Sequence, residues 1–131
     1  MLTEEGPKVL EYNVRFGDPE TQAVLLRLKN DLVEVFEACI EGELDKIKLE
    51  FEANAAVCVI LASEGYPQKY EKGMVIKGLD KFNSADNEFY CFHAGTKKVG
   101  AEIVTNGGRV LGITAKGADL EEAVKKAISF G

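Results

Sequence analysis

Residues Lys8 to Phe16 alternate in character, with Leu10, Tyr12, Val14 and Phe16 on one side and Glu11, Asn13 and Arg15 on the other. A period of two predicts a strand whose apolar set is buried and whose polar set faces a cleft or solvent. The alternation ends at Gly17-Asp18-Pro19-Glu20. Asp18 is the expected N-cap of a first helix, with Pro19 as its first residue. This helix carries Ala23, Val24, Leu25, Leu26 and Leu28 and is expected to break near Lys29-Asn30. A second helix follows, with Asn30 as N-cap and Asp31 in the first turn, where the helix dipole favours an acid. Leu32, Val35, Phe36, Cys39 and Ile40 form its apolar stripe, and Gly42 ends it.

Beyond residue 50 the pattern changes from helix to strand. Ala55–Ala62 is eight unbroken small and apolar residues, rich enough in β-branched types to predict a buried strand. Residues 63–70, with Gly65 and Pro67, read as a loop, and Met74–Ile76 and Glu88–His93 as short strands. Ala101–Thr105 and Val110–Ala115 flank Asn106-Gly107-Gly108-Arg109, which predicts a hairpin because Asn-Gly tolerates positive φ. Asp119 is the expected cap of a last helix, with Glu122 three residues on in a capping-box arrangement. Ala123, Ala127 and Ile128 give that helix its apolar stripe, and the sequence ends at Gly131 with the helix barely complete.

Composition narrows the class. The 131 residues are 46% apolar and 29% charged, as in a soluble globular protein, and carry a net charge of −6. An acidic balance argues against a nucleic-acid surface, where clustered Lys and Arg neutralise phosphates. No window holds the roughly 18 apolar residues of a membrane span, and the acidic N-terminus lacks the apolar core of a signal peptide. Cys39, Cys58 and Cys91 form no C-x-x-C pair; buried free thiols in a reducing cytoplasm are expected.

Glu11, Asn13 and Arg15 are the first candidates for chemistry. At i, i+2 and i+4 of a strand they project from one face, about 6.5–7 Å per two-residue step. A carboxylate and a carboxamide oxygen suit a hard cation such as Mg²⁺, and Arg15 adds a fork that matches phosphate. A solvated polar strand face satisfies the same spacing. Asp18 and Glu20 read either as a cap with a first-turn acid or as carboxylates for a substrate's ammonium or hydroxyl groups. His93, the single histidine, lacks a nucleophilic partner and reads as packed or surface. Asn106–Arg109 reads as a turn, or as backbone able to approach a ligand phosphate with Arg109 beside it.

The run from Gly6 to Gln22, with its core Arg15-Phe16-Gly17-Asp18-Pro19-Glu20-Thr21-Gln22, resembles the signature of the phosphoribosylamine–glycine ligases, the glycinamide ribonucleotide synthetases of the ATP-grasp superfamily. Further stretches carry the resemblance along the whole chain: residues 30–35, 55–59 and 62–67, Phe92-His93-Ala94-Gly95-Thr96, and 105–111.

The resemblance implies an α+β fold. Residues 1–50 would be the terminal strand-helix segment of an ATP-grasp domain, and residues 51–131 a small, mainly antiparallel β domain with a C-terminal helix. It implies ligation of glycine to 5-phosphoribosylamine, in which ATP phosphorylates the glycine carboxylate and the amine attacks the acyl phosphate. Glu11 and Asn13 would be Mg²⁺ or Mn²⁺ ligands, and Arg15 would lie beside the transferring phosphate. Asp18 and Glu20 would lie near the glycine and amine sites. Thr96, Gly107, Gly108 and Arg109 would contact phosphoribosylamine. Family members are much longer, so the chain is expected to be a C-terminal piece without turnover of its own, partnered by the missing N-terminal and ATP-grasp regions. A free-standing, non-catalytic binding or interaction module is the competing expectation. A biotin-dependent type of ATP-grasp carboxylase shares Glu-x-Asn-x-Arg, but the Gly17–Gln22 loop argues against it.

Overall fold

A computed structural model describes residues 1–83 and 89–129. The architecture is α+β. A hairpin of two very short strands, β1 (Leu2–Thr3) and β2 (Gly6–Pro7), precedes helices α1 (Glu20–Leu25) and α2 (Leu32–Glu41). Strands β3 (Ala55–Ala62), β4 (Phe89–His93), β5 (Thr96–Val99), β6 (Glu102–Thr105) and β7 (Arg109–Gly117) follow, and helix α3 (Leu120–Ser129) ends the described chain.

β7 organises the second half. It lies between β3 and β4 in an antiparallel sheet, pairing Cys58 with Thr114 on one edge and Tyr90 with Thr114 on the other. Alternation puts Gly112 and Thr114 on the side of α1, where a Cβ at Gly112 would stand 3.8 Å from Gln22 Nε2. Leu111, Ile113, Ala115 and Gly117 point to the other side, where α3 packs on β7 and β3. Both faces are covered, so β7 reads as an almost continuous apolar run, and Ile113, Thr114 and Ala115 are fully buried. Val110, Leu111 and Ile113 form the core with Leu61, Ile76, Leu79, Phe82 and Cys91 around them.

β3 spans the predicted residues, but it is half-buried. It is an edge strand and keeps one open side. α3 is also where the sequence puts it. Asp119 Oδ1 accepts from the Glu122 amide at 2.8 Å, and Glu122 Oε2 accepts from the Ala118 amide at 2.6 Å, one residue before the usual capping-box donor. That backbone bond, and then Lys126, holds the Glu122 carboxyl below its usual range. Ala123 and Ala127 are buried, while Ile128 is exposed. Residues 130–131 lie outside the described residues.

Several expectations fail. Residues 8–16 form no strand, and Val9, Leu10, Tyr12, Val14 and Phe16 are all exposed, from 54% at Phe16 to 94% at Val14. Alternation yields a strand only where a neighbour completes the ladder, and no partner for this segment exists among the described residues. Asp18 does not cap α1. Pro19 takes the capping place with no side-chain bond, because the Asp18 carboxylate is committed elsewhere. α2 begins one residue later than predicted. Asp31 is its N-cap, accepting from the Val33 amide at 2.8 Å, while Asn30 ties the helix entry to the 48–50 segment by donating to Lys48 O and accepting from Glu50 N. Gly42 ends α2 at φ 71°, as expected. Of the α2 stripe only Val35 is buried, joined by Ala38; Phe36, Cys39 and Ile40 are exposed.

Met74–Ile76 contributes a single bridge, Val75 to Val104, rather than a strand. Glu88, the first residue of the predicted 88–93 strand, lies outside the described residues. The 101–115 hairpin is replaced by a crossing: β6 pairs with β5, and β7 enters the other sheet. None of Asn106, Gly107 and Gly108 has positive φ, so the tight Asn-Gly turn does not form.

Gly117 closes the fold at the β7–α3 corner, where an added Cβ would meet Ala123 N at 2.5 Å and Asp119 O at 3.0 Å. Both are backbone atoms and cannot rotate away. Gly117→Ala is expected to cost about 1–3 kcal/mol by overpacking, and Asp119→Ala about 1 kcal/mol by loss of the cap. Urea unfolding checks both; an unchanged Gly117→Ala midpoint would refute the close approach.

Candidate functional site

The polar residues of the 8–16 segment are exposed with their neighbours. Glu11, Asn13 and Arg15 make no hydrogen bond or ion pair among the described residues, so their donor and acceptor atoms are uncommitted. Where the segment turns, Arg15 and Glu20 converge on Gly17. A Cβ there would lie 2.7 Å from Arg15 Nη1 and 2.9 Å from Glu20 Cδ, so a side chain at position 17 would displace both. The Thr21 hydroxyl donates to Gly17 O and fixes this corner to the first turn of α1.

Asp18 and Arg109, 91 residues apart, meet. Arg109 Nη1 donates to Asp18 O at 3.0 Å and stands 3.3 Å from Asp18 Oδ2. The other carboxylate oxygen, Oδ1, accepts from Gln22 Nε2 at 2.7 Å. Asp18 precedes α1 and Gln22 lies in its first turn, at the i,i+4 spacing that lets side chains meet. Two of the sequence-predicted residues are thus joined, from α1's entry and the start of β7.

The remaining candidates gather at the crossing between the sheets. A Cβ on Gly107 would stand 2.9 Å from Gly95 Cα, so the two backbones touch there only because both residues are glycine. Asn106 N donates to Gly95 O at 2.7 Å, and Ala94 N and Gly95 N both donate to Val110 O. Thr96 pairs with Thr105 across β5 and β6, and its hydroxyl lies 3.0 Å from His93 Nδ1. Thr96, Gly107, Gly108 and Arg109 therefore belong to one corner, while Glu11, Asn13 and Arg15 lie on a separate segment tied to it through Asp18.

Sequence reasoning missed Gln22, Ser63 and Tyr66. Ser63 N donates to Gly108 O and its hydroxyl to Gly107 O, each at 2.8 Å, and the Tyr66 ring lies against Gly108. It also missed a cavity of about 540 Å³ between the 63–74 loop and β6, lined by Ser63, Glu64, Lys69, Tyr70, Met74 and Thr105 among others. The loop's punctuation by Gly65 and Pro67 marks it as irregular and carries no signal of what it packs on.

No group of three His, Cys, Asp or Glu side chains that could hold a metal forms among the described residues. Glu11 and Asn13 offer two oxygen donors, a set that fits a hard divalent cation sharing its remaining positions with phosphate oxygens or water. The thiols contrast. Burial first, and then the Asp18 charge, push the Cys58 thiol above its usual range. Burial alone raises Cys91. Cys39 is exposed and Cys58 and Cys91 are half-buried, so none of the three is the fully buried thiol expected.

Residues 56–130 match the family described as phosphoribosylglycinamide synthetase, C domain, and residues 1–21 its ATP-grasp (A) domain. A phosphoribosylamine–glycine ligase of Rhodopirellula baltica is 53% identical over 128 residues, covering 97% of this chain and 29% of the relative. One from Caldanaerobacter subterraneus is 55% identical over 123 residues, 94% of the chain and 28% of the relative. The chloroplastic one of Arabidopsis thaliana is 48% identical over 124 residues, 94% and 23%. A crystal structure of phosphoribosylamine–glycine ligase from Thermotoga maritima has a TM-score of 0.70 at 36% identity, over 99% of this chain and 31% of its own. The chain thus spans less than a third of each of these relatives.

A raised thiol pKa leaves less thiolate at a given pH, and thiolate is the reactive form. Iodoacetamide at about pH 8 should modify Cys39 well before Cys58 and Cys91, read by peptide mass spectrometry. Equal rates at all three would show that Cys58 and Cys91 are not shielded.

Proposed function

The chain belongs to the phosphoribosylglycinamide synthetase family, and we propose that it is the C-terminal part of a phosphoribosylamine–glycine ligase of purine synthesis. Residues 1–50 end the ATP-grasp domain and residues 51–131 form the C domain. The whole enzyme transfers the terminal phosphoryl group of ATP to the glycine carboxylate. The 5-phosphoribosylamine nitrogen then attacks the glycyl phosphate, the amide bond forms, and ADP and phosphate leave. Three free thiols fit a cytoplasmic setting. The reading rests most on one observation: the stretch matching the ATP-grasp domain presents Glu11, Asn13 and Arg15 exposed and uncommitted.

Each residue has a role in this reading. Glu11 and Asn13 would hold Mg²⁺ or Mn²⁺. When bound, the ion neutralises charge on the phosphates, and positioning and neutralisation are most of the catalysis in phosphoryl transfer. Arg15 would bring its planar fork to the transferring phosphate. Glu20, beside Arg15 over Gly17, would face the glycine and amine side. Thr96, Gly107, Gly108 and Arg109 would receive phosphoribosylamine at the corner where β7 starts.

In the full-length enzyme, Glu11→Ala should abolish most turnover, because it removes the single carboxylate of that face. Asn13→Ala should be milder, since water can replace a neutral oxygen. Arg15→Lys should lose about 10²–10³ in rate, the usual cost of a lost charge-stabilising contact in a dry site. The 131-residue chain alone should form no ADP from ATP, glycine and phosphoribosylamine. Its Glu11 and Asn13 amide signals should show no saturable Mg²⁺ binding tighter than about 1 mM. ADP release that needs both co-substrates, or tighter Mg²⁺ binding, would overturn the half-site reading.

A further inference from the structure

Arg109 carries five N–H donors, yet both of its contacts run through Nη1, and both go to Asp18. The Arg109 side chain makes no other hydrogen bond or ion pair among the described residues. Its partner is held in turn: Gln22 Nε2 fixes Asp18 Oδ1 at 2.7 Å, leaving Oδ2 toward the guanidinium. The two side chains are 44% and 42% exposed, so the pair is wet and weakly bound. Arg109 follows Gly107 and Gly108, whose faces are covered by the Gly95 backbone and the Tyr66 ring, so it is the half-exposed guanidinium itself that a ligand from solvent would meet.

We propose that Asp18 is a tethered internal anion in the Arg109 site, which a phosphate monoester must displace in order to bind. This rests on the reading that Arg109 meets the phosphate of the acceptor substrate. It adds that Asp18 sets the affinity there by competing for the same guanidinium, rather than by touching the ligand. Magnitudes favour displacement. A half-exposed ion pair contributes little and holds back a competing ion by no more than about fivefold, whereas a phosphate dianion can take the guanidinium fork bidentately.

Displacement has a consequence at a distance. Asp18 lies between Gly17, over which Arg15 and Glu20 converge, and Gln22 of α1. Anion binding at the start of β7 therefore unties from Arg109 the corner that carries the Arg15 segment, which stays held to α1 through Thr21 and Gln22, and the two halves of the site become coupled through one ion pair.

Competition leaves a signature that simple charge repulsion does not. If both anions must displace Asp18, removing its carboxylate tightens each by the same factor, the inverse of the fraction of free Arg109. If Asp18 only repels through solvent, a dianion gains about twice the free energy of a monoanion. The experiment titrates the 131-residue chain at about pH 8 and constant ionic strength with inorganic phosphate and with acetate. The Arg109 Nε–H and Gly108 amide signals report binding, in the wild type, Asp18→Asn and Arg109→Ala. Asp18→Ser repeats the measurement should Asp18→Asn unfold.

The expected result is an equal gain of about two- to fivefold for both anions in Asp18→Asn. Binding should be lost in Arg109→Ala, and phosphate should shift the Gln22 side-chain amide in the wild type. No gain in Asp18→Asn, or a gain for phosphate near the square of that for acetate, overturns the competition while leaving Arg109 as the anion site. Phosphate binding that survives Arg109→Ala, or none in the wild type, overturns both this proposal and the role given to Arg109 above.

Discussion

The hydrogen-bonding of β7 on both edges is the constraint from which the rest of the second half follows. A strand with β3 on one side, β4 on the other, α1 over one face and α3 over the opposite face leaves little surface for polar side chains, and between Val110 and Ala115 only Thr114 is polar. Its interior is accordingly Val110, Leu111, Gly112, Ile113, Thr114 and Ala115. Gly112 is small enough to lie under Cys58 Sγ and Ile60, and Gly117 lets α3 turn back onto the strand. The start of the strand is set with the same rigidity. Val110 O takes two amides, from Ala94 and Gly95, and Gly95 touches Gly107 backbone to backbone. Arg109 projects from this knot. Its position depends on strand pairing rather than on the loop that precedes it, which is the kind of support a binding residue needs.

The first segment contrasts with this. Residues 8–16 carry a strand's alternation and expose their whole apolar set, and α1 buries none of its residues completely. What links the segment to the β7 unit is the Asp18–Arg109 pair, the packing of α1 on β3 and β7, and the short pairing of residues 27–29 with 50–52, where Lys29 N donates to Glu50 O and Glu52 N to Arg27 O. In the proposed enzyme this is the edge where the remainder of the ATP-grasp domain would pair, and the exposed apolar face of Leu10, Tyr12, Val14 and Phe16 is what that pairing would cover.

Much of the β7 unit was legible because its signals are local and strong. Ala55–Ala62 spans the eight residues of β3, and Asp119 with Glu122 marks the entry to α3. What was not legible depends on partners far along the chain. Nothing in Asn106-Gly107-Gly108-Arg109 distinguishes a hairpin turn from a crossing, because the deciding contact is with Gly95. Asp18 looks like a cap from its neighbours alone and is diverted by an arginine 91 residues away. The alternation of 8–16 states which face a strand would bury but not whether a neighbouring strand is present. As for the site, Glu11, Asn13 and Arg15 stood out through resemblance more than spacing. Gln22 and Ser63 gave no sign in sequence of the contacts they make.

The chain divides into a cooperative unit built on β7 and a leading segment without strand pairing, and amide hydrogen exchange measures that division directly. Exchange of the 131-residue chain, resolved by residue, should be slowest at Val110–Ala115 and in β3 opposite them. The amides of Val9–Phe16 should exchange close to the rate of an unstructured chain, since opening a segment with no strand pairing costs almost nothing. Protection in Val9–Phe16 matching that of β7 would mean that the segment pairs within the chain after all. The division, and the half-site built on it, would then be contradicted.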